Sequence, residues 1–199
     1  MSELAVFDFD GTLTRRDTLL PFLAAVCGRA RLASALARHA PGVLRGAAGW
    51  GGEGAAKEAL FTRLLAGRMA DEVAEAAVPF ADRLLAHGMR GEIVARLMWH
   101  REQGHDLALV TASPELYVGP IGRRLGFATV LGTRLEVDED GRLTGRLVGL
   151  NVKGEEKVRR LRDAVGAVEP GWAYGNSRGD RQLLSLARHQ TMVGKGTRP

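Results

Sequence analysis

Hydrophobic and polar positions follow two different rhythms along this chain. A short apolar run over residues 4–9 contains Asp8 and runs into Asp10; it predicts a buried strand that turns at Gly11-Thr12. Residues 18–48 and 55–102 carry no strong β signal and are rich in Ala, Leu and Arg at helical spacing. Val73, Ala77, Phe80, Ala81 and Leu84, for example, recur at close to one helical turn. The glycine cluster "GWGGEG" (49–54) divides this region into two helical blocks, and Pro79 predicts a kink or interruption.

From residue 105 the rhythm changes. "HDLALVTASPE" (105–115) is a continuous apolar run that predicts a fully buried parallel strand, with Pro114 starting a helix that reaches about Leu125. Within 128–149, Asp140-Gly141 separates two β-like segments and predicts a hairpin. Residues 154–166 read as a helix closed by Gly166, 171–177 as a strand entering a turn, 179–187 as a helix and 191–193 as a last short strand. One strand, a long helical stretch, then alternating strands and helices predict an α/β fold. Its expected form is a Rossmann-like, doubly wound, mainly parallel sheet with a small all-helical insertion after the first strand. Ligands of such sheets lie at the carboxyl ends of the strands, and the polar residues there are Asp8, Asp10, Thr111, Asn176 and Asp180.

Composition changes this picture little. The 199 residues, 45% hydrophobic and 26% charged, suit one sizeable domain or a core with a small insert. The single Cys27 excludes a disulfide framework and any multi-cysteine metal site. No basic and apolar leader precedes the acidic motif, and no apolar run reaches the roughly 20 residues that span a bilayer. The expectation is a cytoplasmic protein. The net charge of +5 suits anionic ligands as well as plain surface solvation. Between Thr18 and Gly52, Arg29, Arg31, Arg38 and Arg45 occur with no Asp or Glu, forming a candidate basic face. The five His residues have no metal-ligand spacing and read as surface or packing residues. "VGKGT" (193–197) lacks the upstream glycine spacing of a nucleotide-binding loop, and no nucleic-acid motif accompanies the charge. Nucleic acid is therefore not an expected partner.

The candidate chemistry starts from Asp8 and Asp10. Alternate positions at a strand end can face one site, where two carboxylates raise each other's pKa. A divalent cation such as Mg2+ relieves that conflict and bridges to phosphate. An exposed Asp-Asp-Gly turn accounts for Gly11 but not for the apolar strand before it. "DFDGT", "LALVTAS", "GEEKVRRL" and "YGNSRGD" occur in that order. Together they resemble the four motifs of the haloacid dehalogenase (HAD) superfamily of phosphohydrolases. The longer run from "VTASPELYVGPIGRRLG" to "GEEKVRRL" is similar to the phosphoserine-phosphatase-like subfamily IB, and the resemblance covers nearly the whole chain.

This resemblance implies a HAD-like core of residues 1–14 and 96–199 and a helical cap over 15–95. It implies that Asp8 is the nucleophile that forms an aspartyl-phosphate and Asp10 the acid and base. Thr111 would donate its hydroxyl to a phosphoryl oxygen, and Lys157 would neutralise charge on Asp8 and the phosphate. Lys153 competes for that last role; Lys157 is preferred because it opens a Lys-x-x-x-Leu helix pattern through Leu161. The implied cofactor is Mg2+, held by Asp8, Asp10 through its backbone carbonyl, Asn176 and Asp180. Asn176 stands where the family commonly has Asp, so one formal negative charge is lost. Gly11, Thr12, Asp17, Ala112 and Ser113 are the implied substrate contacts, with Asp17 reading either a substrate amine or the start of a helix. The presence of Asp10 favours phosphate chemistry over attack on carbon.

The expected function is a Mg2+-dependent phosphomonoester hydrolase, a monomer or homodimer, acting on a small phosphorylated metabolite such as a phosphoserine-like, amino-alcohol or sugar phosphate. One alternative is a phospholipid-derived phosphate of the phosphatidylglycerophosphate type. There the basic segment with Leu36, Val43, Leu44 and Trp50 would lie on an anionic membrane, which is a partner in that reading alone. Another alternative, motivated by Asn176, is a catalytically weak phosphate-binding regulatory protein.

Overall fold

The computed structural model describes residues 2–47, 52–167 and 169–194, and of residues 39–47 and 53 the backbone alone. Its centre is a parallel sheet of five strands in the order β3-β2-β1-β6-β7. These are β1 (Leu4–Phe7), β2 (Asp106–Pro114), β3 (Thr129–Thr133), β6 (Trp172–Gly175) and β7 (His189–Met192). Val6 of β1 lies opposite Ala108 on one side and Ala173 on the other. Every residue of β1 is buried, which is why its sequence is unbroken apolar rather than alternating. Phe7 stacks on Tyr174 with ring centroids 4.4 Å apart, and full burial of such a ring contributes about 2–3 kcal/mol. The strand stops at Phe7, short of the predicted Phe9, because residues Phe9–Leu13 wind into a tight turn with Gly11 at φ 73°.

Between β1 and β2 the chain is helical: α1 (Leu19–Cys27), α2 (Arg29–Ala47), α3 (Gly52–Leu65), α4 (Ala70–Ala76), α5 (Val78–His87) and α6 (Gly91–Glu102). The interruption expected at Pro79 falls at Ala77, and Pro79 sits in the first turn of α5, where its missing N–H costs nothing. The hairpin predicted around Asp140-Gly141 is present as β4 (Leu135–Val137) and β5 (Leu143–Leu147), paired antiparallel. It packs on α3 so closely that a Cβ at Gly145 would lie 2.3 Å from the Thr62 Cα. A β element from the second half of the chain is thus seated on the helical segment.

The remaining helices are α7 (Glu115–Leu125), α8 (Glu155–Val165) and α9 (Arg181–Leu184). The last is shorter than the predicted 179–187, because a 3-10 turn over Arg178–Asp180, capped by Ser177, precedes it. The final strand begins at His189, two residues before the predicted start. At the amino ends of the strands, Trp99, His100, His105, Trp172 and His189 form a packed ring cluster. His100 is buried, with Nε2 2.9 Å from the Tyr174 hydroxyl and Nδ1 2.8 Å from His105 Nδ1. Burial pushes its pKa down to about 4.

Arg29, Arg31 and Arg38 of the predicted basic face are exposed. The side chains of Val43, Leu44 and Arg45, together with Trp50 and residues 195–197 of "VGKGT", lie outside the described residues. Among the described residues, no helix is long and apolar enough to cross a membrane.

Candidate active site

The sheet order reverses at β1: β2 and β3 follow on one side, β6 and β7 on the other. Ligands of doubly wound sheets bind at that reversal, beyond the carboxyl ends of the strands. Asp8 leaves β1 there, Thr111 and Ser113 lie in the last part of β2, and Asn176 follows β6. The Asp8 amide still donates to the Tyr174 carbonyl at 2.9 Å, so the carboxyl is fixed to the sheet itself.

Asp8 belongs to a buried charge triad. The Lys157 ammonium, on the first turn of α8, donates to Asp8 Oδ1 and to Asp180 Oδ1, both at 2.6 Å. The Thr12 hydroxyl donates to Asp8 Oδ2 at 2.8 Å. Asp180 Oδ2 accepts from the Asn176 and Ser177 amides and from the Ser177 hydroxyl. Burial works against every charge here, with different outcomes. Burial, reinforced by the Asp180 charge, pushes Asp8 up against the pull of Lys157 and Thr12. Asp180 is held below its usual range because Lys157 and the Ser177 donors outweigh its burial. Lys157 is held above its usual range because the two carboxylates outweigh its burial.

Asp10 lies in a different environment, a ring of hydroxyl groups. Thr18, just before α1, donates its amide at 2.7 Å and its hydroxyl at 2.6 Å to Asp10 Oδ1. Ser113 donates to Asp10 Oδ2, and the Tyr117 hydroxyl donates to Ser113 Oγ at 2.9 Å. The Tyr117 and Thr18 oxygens are 2.8 Å apart and close the ring. With Asp10 ionised, three hydroxyl protons serve four oxygen–oxygen contacts; a proton on Asp10 supplies the fourth. Burial pushes Asp10 up to about 6 against these donors.

Asp8, Asp10 and Asn176, the residues expected to offer oxygens to a metal, all line one cavity. The Asn176 side chain lies over Gly11, where a Cβ would fall 1.9 Å from Nδ2, so only glycine fits. Among the described residues, no three or more His, Cys, Asp or Glu side chains are arranged to hold a metal ion. Within the triad two buried carboxylates share one ammonium, while Arg15, Arg16, Lys57, Arg90 and Lys153 add positive charge around the cavity. Few protein oxygens with retained waters is the habit of Mg2+. Asp180 lines the cavity as well, its oxygens accepting from Lys157, from Ser177 and from the Asn176 backbone amide.

A cavity of about 660 Å³ opens over these groups. Of the sequence-predicted residues, Asp8, Asp10, Gly11, Asp17, Thr111, Ala112, Ser113, Lys157, Asn176 and Asp180 line it. Thr12 does not; it is buried and turned toward Asp8. The Thr111 hydroxyl accepts from the Ser113 amide at 3.1 Å, which leaves its proton for a further acceptor. Lys153 lines the cavity too, yet the ammonium between Asp8 and Asp180 belongs to Lys157. Asp17 Oδ1 accepts from the Leu19 amide at 2.9 Å at the start of α1, while the residue also lines the cavity.

Several lining residues escaped the sequence reading. Lys57, from α3, donates to the Ala112 carbonyl and to Asn151 Oδ1, both at 3.0 Å. Arg90 Nε donates to the Gly11 carbonyl at 3.0 Å. Both depend on helix packing, for which the sequence carries no local signal. Tyr117, in the first turn of α7, does not line the cavity; it stands four residues after Ser113 and was close to it in sequence.

Comparison with known proteins agrees with this geometry. The family model described as haloacid dehalogenase-like hydrolase matches residues 5–185, and the chain belongs to that family of enzymes. It is 36% identical over 185 residues to the protein CicA of Caulobacter vibrioides, covering 92% of this chain and 82% of that protein. It is also 36% identical over 110 residues to the phosphoserine phosphatase SerB1 of Mycobacterium tuberculosis, covering 48% of this chain and 35% of that protein. A solved structure of a protein of unknown function from Bordetella pertussis Tohama I superposes with a TM-score of 0.77 at 25% identity, covering 93% of this chain and 87% of the other.

Proposed function

We propose that this chain is a Mg2+-dependent phosphomonoester hydrolase that works through an aspartyl-phosphate on a small phosphorylated metabolite. The observation that carries this reading is the contrast between two acids two residues apart: Asp8 bonded to the Lys157 ammonium, Asp10 bonded only to neutral donors. In the proposed reaction an Asp8 oxygen attacks phosphorus in line, an O–P bond forms, and the bond to the leaving oxygen breaks. Asp10 gives its proton to that oxygen, releasing the alcohol. Asp10, now ionised, takes a proton from the water that attacks the same phosphorus. Inorganic phosphate leaves and the Asp8 carboxylate is restored. Thr111 donates to a phosphoryl oxygen, and Lys157 favours the ionised form of Asp8 against its burial and offsets the phosphoryl charge. Mg2+ would be held by Asp8, the Asp10 carbonyl, Asn176 and Asp180, and would supply positive charge to the phosphoryl transfer.

Residues 15–95 act in this reading as a cap that excludes water and selects substrate, over a core of residues 1–14 and 96–199; the proposed setting is the cytoplasm, as a monomer or homodimer. A turnover assay with p-nitrophenyl phosphate tests the reading. Activity that needs Mg2+ and disappears in Asp8→Asn supports it; no turnover across amino-acid, sugar, nucleotide and lipid phosphates would favour a phosphate-binding protein. A lipid phosphate is the second reading, favoured by Leu19, Leu20, Leu36 and Leu60 together with Arg15 and Arg16 in the cavity lining. Salt-dependent flotation with anionic liposomes supports that reading, and failure to float removes it.

A further inference from the structure

We propose that Tyr117 is a positioning residue for Asp10, its hydroxyl fixing the direction in which the Asp10 carboxyl faces the leaving oxygen. This rests on the phosphomonoesterase reading above. Tyr117 is 1% exposed and does not line the cavity, so it has no access to substrate. A buried phenol hydroxyl needs partners. Its two partners, Ser113 and Thr18, are the same two residues that hold the Asp10 carboxyl, one on each oxygen. A serine hydroxyl on its own samples three staggered positions. The bond from Tyr117 selects the one in which Ser113 points at Asp10 Oδ2. The Tyr117 oxygen also lies 2.8 Å from the Thr18 hydroxyl that donates to Oδ1, so turning the carboxyl disturbs a linked set of contacts.

The Tyr117 ring is held independently of its hydroxyl. It stacks on Phe22 of α1 with centroids 4.3 Å apart and planes 21° apart, and meets Phe80 of α5 edge-on at 5.9 Å. Both partners belong to the helical segment between β1 and β2. The aim of Asp10 is therefore tied to the seating of that segment on the sheet. It also follows that Tyr117→Phe removes the hydroxyl while leaving the ring packing in place.

The test compares kcat/KM for ethyl phosphate, whose alkoxide needs a proton to leave, with kcat/KM for p-nitrophenyl phosphate, whose phenolate leaves without one. This ratio reports transfer to the enzyme and is blind to the later water attack. Tyr117→Phe is expected to lower the ethyl phosphate value about tenfold and the p-nitrophenyl phosphate value by less than about twofold. Thr18→Val should show the same split, and the double variant should be little worse than either alone, because the hydroxyls act as one unit. Thermal unfolding midpoints of the single variants establish that both are folded, and Thr18→Val carries the test alone should Tyr117→Phe fail to fold. Equal losses on both esters, or none on either, would overturn the proposal while leaving the phosphatase reading standing. A wild-type protein that turns over neither ester overturns both.

Discussion

Asp8 and Asp10 stand two residues apart and face opposite surroundings. Around Asp8 the groups are charged: an ammonium and a second carboxylate, each buried. Around Asp10 they are neutral: three hydroxyls and one amide. A charged neighbourhood suits a group that must remain an anion and attack. A neutral hydroxyl ring suits a group that must hold a proton and then release it. One turn of backbone delivers both, because Gly11 lets the chain reverse beneath Asn176.

The comparison breaks most completely at Asp8. Asp8→Asn removes the attacking oxygen, and turnover of p-nitrophenyl phosphate is expected to fall by more than about 10⁴-fold. Asp10→Asn sharpens the contrast. It should lower kcat/KM for ethyl phosphate by about 10²–10³-fold, with a distinctly smaller loss on p-nitrophenyl phosphate. Lys157→Ala probes the charged side through stability: two buried carboxylates lose their shared partner, and urea denaturation should register a loss of about 3–5 kcal/mol.

A buried histidine outside the cavity lining provides a control. His100 has a folded pKa of about 4, below the roughly 6.5 of an unfolded histidine. The unfolded chain therefore takes up the proton first. Stability conferred by neutral His100 is complete above about pH 6.5 and is lost as pH falls toward 4, by up to about 3 kcal/mol. Urea midpoints across that window should flatten in His100→Gln. The smallest effect is expected at Asn176→Asp. It adds back one negative charge at the cavity, and the Mg2+ concentration for half-maximal activity should fall about tenfold.

Much of the charged side was legible in the sequence, because its chemistry demands particular residue types. Asp8, Thr111, Lys157 and Asp180 stand at strand ends and a helix start that the apolar rhythm locates. The parallel sheet was legible too, from unbroken apolar runs that only strands buried on both faces need. The neutral side was less so. Ser113 at the end of β2 and Tyr117 in the first turn of α7 are four residues apart, but the meeting of Thr18 with Tyr117 spans 99 positions and depends on how α1 docks. Thr12 is a substrate contact by the resemblance alone; the tight turn points it back at Asp8. The reach of Lys57 to Ala112 and the seating of the hairpin on α3 arise from tertiary packing. The late start of α9 could have been read from Ser177 and Asp180, whose spacing is that of a capping box.

The proposed reaction requires Asp8 to carry the phosphoryl group, and chemical trapping tests that directly. The protein is quenched during turnover, treated with borohydride to reduce an acyl phosphate, and digested for mass spectrometry. The expected result is conversion of Asp8, and of no other carboxylate, to homoserine, dependent on substrate. Sustained phosphate release with Asp8 unmodified, or with the label on another residue, would contradict it.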